Sequence, residues 1–209
     1  MQNSPKIGVI GSGRLGTALA RQFLKAGYEV RIANSRGPES LELLLSVLLP
    51  GAIATIVDEA VVKSDVIILA IPSHQYKTLP ADAFADKIVI DAMNYWSPTE
   101  GVIPEFVDEE NGTSEFIQSY LKGAKVVKSL NHVAYNELEE HTLPSGDPKR
   151  RAIAIAGNDE DAKQQVSELI DAIGFDAVDL GPLSSGKQFQ PDTALFNARF
   201  TAKELLAKA

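Results

Sequence analysis

Cysteine is absent from the 209 residues of this sequence, and its absence excludes several kinds of site at once. Disulfides, thiolate metal centres and cysteine nucleophiles all require the missing side chain. No other metal-ligand pattern stands out, so we expect no metal site. A chain without disulfides suits a reducing compartment, and we therefore expect a cytoplasmic protein.

Long apolar runs and an excess of basic charge are missing as well. No apolar run approaches the roughly 20 residues of a membrane-spanning helix, and residues 1–5 lack a basic, apolar leader. We expect no membrane insertion. The 28 acidic residues outnumber the 20 basic ones and give a net charge of −8. This balance disfavours nucleic acid as a partner, and any anion site must be built from local groups.

The most informative stretch lies near the start of the chain. Residues 6–10 have the composition of a short buried strand, and Gly11-x-Gly13-x-x-Gly16 follows and opens a helical pattern. Gly11 permits a tight turn, Gly13 lets the backbone approach a pyrophosphate, and Gly16 lets the helix pack on the strand. Unpaired N–H groups at the helix start attract phosphate. The motif predicts a dinucleotide site; the alternative is an ordinary glycine-rich turn.

The residues after the second predicted strand, Glu29–Ala33, choose between the two nicotinamide cofactors. Asn34, Ser35 and Arg36 stand where an acidic residue would bind the ribose of NAD, about twenty residues after Gly16. A hydroxyl and a guanidinium suit the additional 2′-phosphate of NADP, which a carboxylate would repel. The pattern favours NADP; the alternative is that Arg36 is a surface arginine before a helix.

The remaining chain alternates strand and helix patterns, which predicts an α/β fold with a doubly wound, mostly parallel Rossmann sheet. We expect one domain over residues 1–209, with a nucleotide-binding core over 1–130 and a small α/β extension over 131–209 that completes an acceptor pocket. Further strands are predicted at 52–55, 65–71, 87–91, 125–130, 152–156 and 177–180. Further helices are predicted at 38–49, 57–63, 114–121 (capped by Ser114), 159–173 and 191–208.

Two polar segments interrupt this alternation. Residues 97–113 contain the acidic run Asp108-Glu109-Glu110, which we interpret as a solvated surface. Residues 137–149 include His141 and are interpreted as a surface excursion. By contrast, residues 65–71 form an unbroken apolar run that is typical of a central parallel strand. A strand in this position lies beside the topological switch point, so the residues that follow it are expected to border the nicotinamide.

Four stretches make the chain resemble the NADP-dependent deazaflavin oxidoreductases, which move hydride between NADPH and coenzyme F420. These stretches are 11–16, Ser35-Arg36, 125–131 and the segment Asp179-Leu-Gly-Pro-Leu-Ser-Ser185. The chain is also similar to the cytosolic NADPH domain of the six-transmembrane metalloreductases, in which a flavin takes the hydride. The resemblance covers nearly the whole chain, and it implies a homodimer.

The resemblance also implies site residues. With the motifs above, it gives a predicted cofactor set of Gly11, Ser12, Gly13, Arg14, Leu15, Gly16, Asn34, Ser35, Arg36, Ala70, Ile71, Pro72, Ser73, His74 and Asn94. It implies an acceptor pocket shaped by Ser73, His74, Asn94, Asn131, His132 and Leu183. The deazaflavin enzymes often have a histidine where Asn131 aligns, and residues 93–96 are closer to the flavin-using relatives. The acceptor is therefore left open between coenzyme F420 and FMN or FAD.

Hydride transfer between two rings depends mainly on holding them face to face, and the accompanying proton can come from water. The sequence has neither a Ser-His-Asp arrangement nor a Tyr-x-x-x-Lys pair, and we assign no certain catalytic residue. His132, Asn131 and Asn94 are the candidates, with His74 at the pocket rim and Tyr95 and Trp96 as stacking residues. Each has a structural alternative, as a turn residue, a packed histidine or a lid or subunit contact.

Two rival functions stay open. One is a small-molecule dehydrogenase acting on an imine or a keto acid, although such relatives usually carry a helical domain of a hundred or more residues and little chain follows Leu130. The other is a non-catalytic protein that senses NADP.

Overall fold

The computed structural model describes residues 4–107 and 111–209, and its eight strands form one sheet. The acidic run at 108–110 lies outside the described residues. The strands are β1 (Ile7–Ile10), β2 (Val30–Ala33), β3 (Ile53–Thr55), β4 (Val66–Leu69), β5 (Ile88–Asp91), β6 (Lys125–Ser129), β7 (Ala152–Gly157) and β8 (Asp176–Asp179). All the predicted strands are present, with ends that differ by at most two residues.

The strand order is β3-β2-β1-β4-β5-β6-β7-β8. Neighbouring strands from β3 to β6 run parallel, β7 is antiparallel to β6, and β8 is parallel to β7. The order reverses between β1 and β4, which is the switch point of a doubly wound sheet. The predicted fold class is confirmed, and the loops that follow β1, β2, β4, β5 and β6 share one edge of the sheet.

Helices cover both faces of the sheet. They are α1 (Arg14–Lys25), α2 (Glu42–Leu48), α3 (Val57–Lys63), α4 (Ser97–Glu100), α5 (Thr113–Tyr120), α6 (Glu137–Glu140), α7 (Glu160–Ala172) and α8 (Ala202–Leu206). The helix predicted at 38–49 begins as a short 3₁₀ helix, Pro38–Leu41, and continues as α2. Further 3₁₀ helices, which the sequence patterns did not predict, lie at Ser73–Thr78, Ala81–Phe84, Pro104–Val107 and Leu183–Phe189. In the part of the chain that the structure describes, no helix is both long and apolar enough to cross a membrane.

The core has two main layers, one on each face of the sheet. Phe23 of α1 packs in the same cluster as Phe175, which precedes β8, and Ile117 of α5 packs with Phe84 on the opposite face. All four residues of β4 are buried, because this strand is covered on both faces. A third, smaller cluster buries Phe189 and Leu205 against β7, which ties the C-terminal region to the same sheet.

The long helix predicted at 191–208 is wrong: only Ala202–Leu206 is helical. Asp192 and Asn197 adopt left-handed backbone angles, with φ of 68° and 58°, and such residues interrupt a right-handed helix. Thr201 caps the start of this short helix, and its hydroxyl donates to the Glu204 carboxylate at 2.8 Å.

Two local predictions also need correction. Ser114 does not cap α5, since Gly112 occupies the capping position and the Ser114 hydroxyl instead donates to Asp91 at 2.6 Å. The segment 137–149 is not wholly a surface excursion, because Glu137 is buried and binds Arg151 and Arg199. Burial of a carboxylate requires such partners, and here two guanidiniums supply them.

Candidate functional site

Two cavities lie along the sheet edge where the parallel strands end. The larger has a volume of about 530 Å³ and is lined by Ile10, Gly11, Ser12, Gly13, Asn34, Ser35, Arg36, Val57, Asp58, Ala70, Ile71, Pro72, Gln75, Thr78, Leu79 and Pro80. The smaller has a volume of about 270 Å³ and is lined by Asn94, Tyr95, Trp96, Ser97, Pro98, Phe106, Thr113, Gln190, Pro191 and Asp192. The larger cavity therefore gathers residues from the glycine-rich turn, the end of β2 and the loop after β4.

The three motif glycines meet different requirements. Gly11 has φ of 117°, and a Cβ there would lie 2.2 Å from the Ala70 carbonyl oxygen. A Cβ on Gly16 would lie 2.0 Å from the Gly11 carbonyl oxygen, so both positions admit only glycine for internal reasons. Gly13 has an ordinary φ of −73°, and no atom lies within 4 Å of a Cβ built there. The open space over Gly13, at the start of α1, fits a pyrophosphate.

The end of β2 is organised by Asn34. Its side-chain amide donates to the hydroxyls of Ser12 and Ser40, each at 3.0 Å, and its oxygen accepts from the Arg36 backbone N–H at 2.8 Å. These bonds fix the turn that carries Ser35 and Arg36. Both residues are exposed, and the Arg36 guanidinium makes no ion pair within the described residues. An unpaired cation at the rim of this cavity fits the 2′-phosphate of NADP.

Part of the lining of the larger cavity comes from residues that the sequence analysis missed. Val57 comes from α3, and Thr78, Leu79 and Pro80 come from the end of the 3₁₀ helix after β4 and its exit. Their apolar surface suits a flat base. No motif marks them in the sequence, because a wall of this kind needs only apolar side chains brought together by the fold.

Arg14 and Leu15, which the resemblance implies for NADP, do not line the cavity. Leu15 packs against the core, and the Arg14 guanidinium lies 5.5 Å from the centre of the Tyr135 ring and donates to its hydroxyl at 3.2 Å. Gly16 is buried beneath the turn. These residues shape the turn and its outer rim.

The loop after β4 is fastened to α4 by one carboxylate. Glu100 Oε2 accepts from the Ser73 hydroxyl at 2.8 Å and from the His74 backbone N–H at 3.0 Å, and it lies 2.9 Å from His74 Nδ1. Burial alone would raise the pKa of the Glu100 carboxyl, but these hydrogen bonds outweigh it and leave the pKa below its ordinary value. Ser73 is buried, and His74 is exposed. The sequence analysis missed Glu100, because no local sequence pattern relates it to a loop 26 residues away.

Asn94 lines the smaller cavity and not the larger one, which holds most of the predicted cofactor residues. Its amide nitrogen donates to the Asn131 carbonyl at 2.7 Å, and its side-chain oxygen accepts from the Asn131 amide at 3.1 Å. Asn131 is buried and also donates to the Phe189 carbonyl at 2.9 Å. The pair therefore joins the loops after β5 and β6, and only Asn94 remains at a cavity wall.

Tyr95 and Trp96 both line this smaller cavity. The Tyr95 ring packs on Phe106 with centroids 5.3 Å apart, and its hydroxyl donates to the Gly101 carbonyl at 2.9 Å. Trp96 is more exposed and meets Phe196 edge to face at 6.1 Å. Together with Phe106, they give the cavity aromatic walls.

His132 lies in the core and not at the pocket rim. It is 2% exposed, and its Nε2 accepts from the Ala154 backbone N–H at 3.0 Å. Burial, followed by repulsion from Arg151 and Lys128, lowers the pKa of this imidazole to about 3. Leu183 is buried too, in the cluster with Ile117, and lines neither cavity.

A buried ion pair supports the loop after β5. Lys128 is fully buried in β6, with its Nζ 3.3 Å from Asp91 Oδ2 and 2.5 Å from the Met93 carbonyl oxygen. Asp91 also accepts from the Ser114 hydroxyl and from the Met93 backbone N–H at 3.0 Å. Burial lowers the pKa of the Lys128 ammonium, and the Asp91 charge opposes that shift. The sequence analysis did not single out Lys128, although a lysine among the apolar residues of a predicted strand is the signal that could have found it.

Comparison with known proteins shows that this chain is similar to NADP oxidoreductases. Residues 6–95 match the model of the family described as NADP oxidoreductase, coenzyme F420-dependent. A hypothetical protein from Sinorhizobium meliloti has a similar crystal structure, with a TM-score of 0.79, 32% identity, and coverage of 94% of this chain and 95% of that one. A putative F420-dependent NADP reductase from Arthrobacter has a TM-score of 0.75 at 24% identity, over 88% and 87% of the two chains, and shares the fold.

The curated relatives are longer proteins. Metalloreductase STEAP3 of Rattus norvegicus is 32% identical over 193 residues, which are 90% of this chain and 36% of that protein. Metalloreductase STEAP2 of Mus musculus is 30% identical over 88% of this chain and 35% of its own length. The chain thus spans about a third of the length of these relatives.

Proposed function

This chain belongs to the family of NADP oxidoreductases described as coenzyme F420-dependent, and from that membership we propose that it moves a hydride between NADPH and the ring of a flavin or deazaflavin acceptor. In this proposal the larger cavity holds NADPH. The space over Gly13 takes the pyrophosphate, and Ser35 and Arg36 take the 2′-phosphate. Ala70, Ile71 and Pro72 border the nicotinamide, which supplies the hydride when it is bound.

The observation that carries the proposal is the second cavity on the same sheet edge. Tyr95, Trp96 and Phe106 give it flat apolar walls, while Asn94 and Gln190 place amide groups that can bond ring carbonyls. Among the described residues that line it there is no lysine, arginine or histidine. A neutral ring system therefore suits the cavity, with any phosphate-bearing tail of the acceptor outside it.

The decisive experiment measures anaerobic NADPH oxidation by the purified protein, with riboflavin, FMN, FAD and coenzyme F420 offered separately. NADH is the control donor. Turnover with one of these acceptors supports the proposal and identifies the acceptor. Tight NADPH binding without turnover of any acceptor contradicts it and favours the NADP sensor or the imine or keto acid dehydrogenase.

Gly13→Val provides the matched control variant. Its side chain would stand in open space at an ordinary backbone angle, so the fold is expected to persist. The same side chain would occupy the proposed pyrophosphate position, and NADPH binding is expected to weaken at least 100-fold in a fluorescence titration. Retained tight binding would mean that the nucleotide lies elsewhere. The homodimer stays a prediction, which light scattering of the same preparation tests.

A further inference from the structure

The loop after β4 carries an imidazole, that of His74, which is held by a carboxylate on one side and open on the other. We propose that His74 donates a hydrogen bond and then a proton to the reduced acceptor ring, and that Glu100 positions it; this inference rests on the proposed function. The hydride carries two electrons from C4 of NADPH to the acceptor, and the ring becomes anionic. The donor is the His74 imidazolium, whose Nδ1–H is held by the Glu100 carboxylate. Its Nε2–H bond then breaks, an N–H bond forms on the ring, and a proton from solvent returns to Nε2 of the neutral imidazole.

The position of His74 supports this role. Its neighbours Pro72 and Gln75 line the larger cavity, and its partner Glu100 ends α4, the helix whose first residues Ser97 and Pro98 line the smaller one. A helix rises 1.5 Å per residue, so Glu100 lies within about 5 Å along the helix axis of that cavity wall. His74 therefore belongs to a loop that lines the larger cavity and is bonded to a helix that lines the smaller one.

The bonding of the imidazole supports it as well. Nδ1 lies 2.9 Å from Glu100 Oε2, and within the described residues no protein group binds Nε2. The His74 side chain is 48% exposed, whereas that of Glu100 is 11% exposed. A carboxylate that holds one ring nitrogen fixes the ring orientation and leaves the other nitrogen for a ligand. Lys77, on the same 3₁₀ helix as His74, is paired with Glu105.

Glu100 makes several hydrogen bonds to the loop after β4, although α4 has only four residues. The same Oε2 accepts from the Ser73 hydroxyl and the His74 backbone N–H, so the carboxylate fixes the loop as well as the ring. Glutamine at this position retains an oxygen acceptor, whereas alanine removes it. The two substitutions therefore separate positioning of the ring from the mere presence of a side chain.

The test compares His74→Gln, Glu100→Gln, Glu100→Ala and the control His141→Gln. In single-turnover hydride transfer to the accepted flavin, His74→Gln and Glu100→Ala are expected to lower the rate roughly 10- to 100-fold. Their NADPH dissociation constants should stay within about twofold of the wild-type value. Glu100→Gln should restore most of the rate, and His141→Gln should equal the wild type. If the wild-type protein is active and His74→Gln transfers hydride at the same rate, the inference is wrong and the proposed function still stands.

A second readout does not depend on turnover. The protein has three histidines, so the ¹⁵N imidazole spectrum is simple to assign. Riboflavin added to the NADP⁺-loaded protein should move the His74 Nε2 resonance, and Glu100→Ala should abolish the shift. If the Nε2 resonance does not move at saturating riboflavin, the inference is wrong. This result can be obtained even if the protein turns over no acceptor. The proposed function is tested separately, by the NADPH oxidation assay.

Discussion

The sheet edge has a proposed nucleotide side, at the larger cavity, and a proposed acceptor side, at the smaller cavity. Both sides carry polar side chains, but these side chains have opposite roles. On the nucleotide side, Gly13 faces open space and the Arg36 guanidinium has no ion-pair partner in the described chain. On the acceptor side, Lys128, Asn131 and His132 are buried and bonded to other parts of the protein. On the nucleotide side, polar groups remain available to a ligand. On the acceptor side, most polar groups form hydrogen bonds that hold the loops in place.

This difference distinguishes residues that are available to bind a ligand from residues that stabilise the fold. Buried polar groups must be hydrogen-bonded, and a group whose bonds are already made inside the protein has little left for a ligand. Asn94 and His74 are the exceptions on the acceptor side, since each keeps one face toward a cavity or solvent. Substitutions should therefore affect stability on one side and ligand affinity on the other.

The largest effect is expected from Lys128→Met, which leaves the Asp91 carboxylate buried without its ion-pair partner. Breaking a buried pair in this way destabilises a protein by about 3–5 kcal/mol. Urea unfolding followed by circular dichroism measures the loss. The NADPH dissociation constant of the folded variant should stay near the wild-type value, because Lys128 contacts no residue of the larger cavity that we describe.

Two comparisons sharpen this prediction. The double variant Lys128→Met with Asp91→Asn should regain part of the lost stability, since it no longer buries an isolated charge. Lys122→Met, at an exposed lysine, should change stability by about 0.5 kcal/mol or less. A loss below about 1 kcal/mol in Lys128→Met would mean that the buried pair does not support the loop after β5.

The sequence could predict that Gly11, Gly13 and Arg36 lie together at one cavity, because the pattern that brings them together is local. Gly11, Gly13 and Gly16 lie on one turn, and Arg36 follows a strand at a characteristic distance, so spacing alone brings them together. The sheet was predictable for a related reason, since each strand is a short apolar run between helical patterns. These features depend on neighbours in the chain more than on contacts across the fold.

The acceptor side could not be predicted in the same way. Asn131 and His132 follow a strand as expected, but β7 and the Phe189 segment cover them, and no local pattern announces that cover. Glu100 reaches the loop after β4 across 26 positions of sequence. Residues 191–199 have a helical composition, yet the left-handed angles at Asp192 and Asn197 prevent a helix there.

An intermediate effect is expected from Arg36→Ala, which sharpens the comparison from the nucleotide side. Loss of a charge-assisted bond to the 2′-phosphate should weaken NADPH binding by about 1.5–3 kcal/mol, which is roughly 10- to 150-fold. NADH lacks that phosphate, so its affinity should change little. Fluorescence titration with both nucleotides measures the difference, and the urea midpoint should not move. Equal weakening of both nucleotides would remove the assignment of Arg36 to the 2′-phosphate.

The smallest effect concerns His132 and appears only as a dependence of stability on pH. Its folded pKa of about 3 lies below the ordinary value of 6.5, so below pH 6.5 the unfolded chain binds a proton that the folded protein does not. Stability should therefore fall as the pH falls, by up to about 1.4 kcal/mol per pH unit from this residue. Urea unfolding between pH 6.5 and 5 avoids most carboxylate titration. His132→Gln, which keeps an acceptor for the Ala154 N–H, should flatten this slope, and an unchanged slope would mean that His132 is not the buried, neutral group that sets this side of the sheet edge apart.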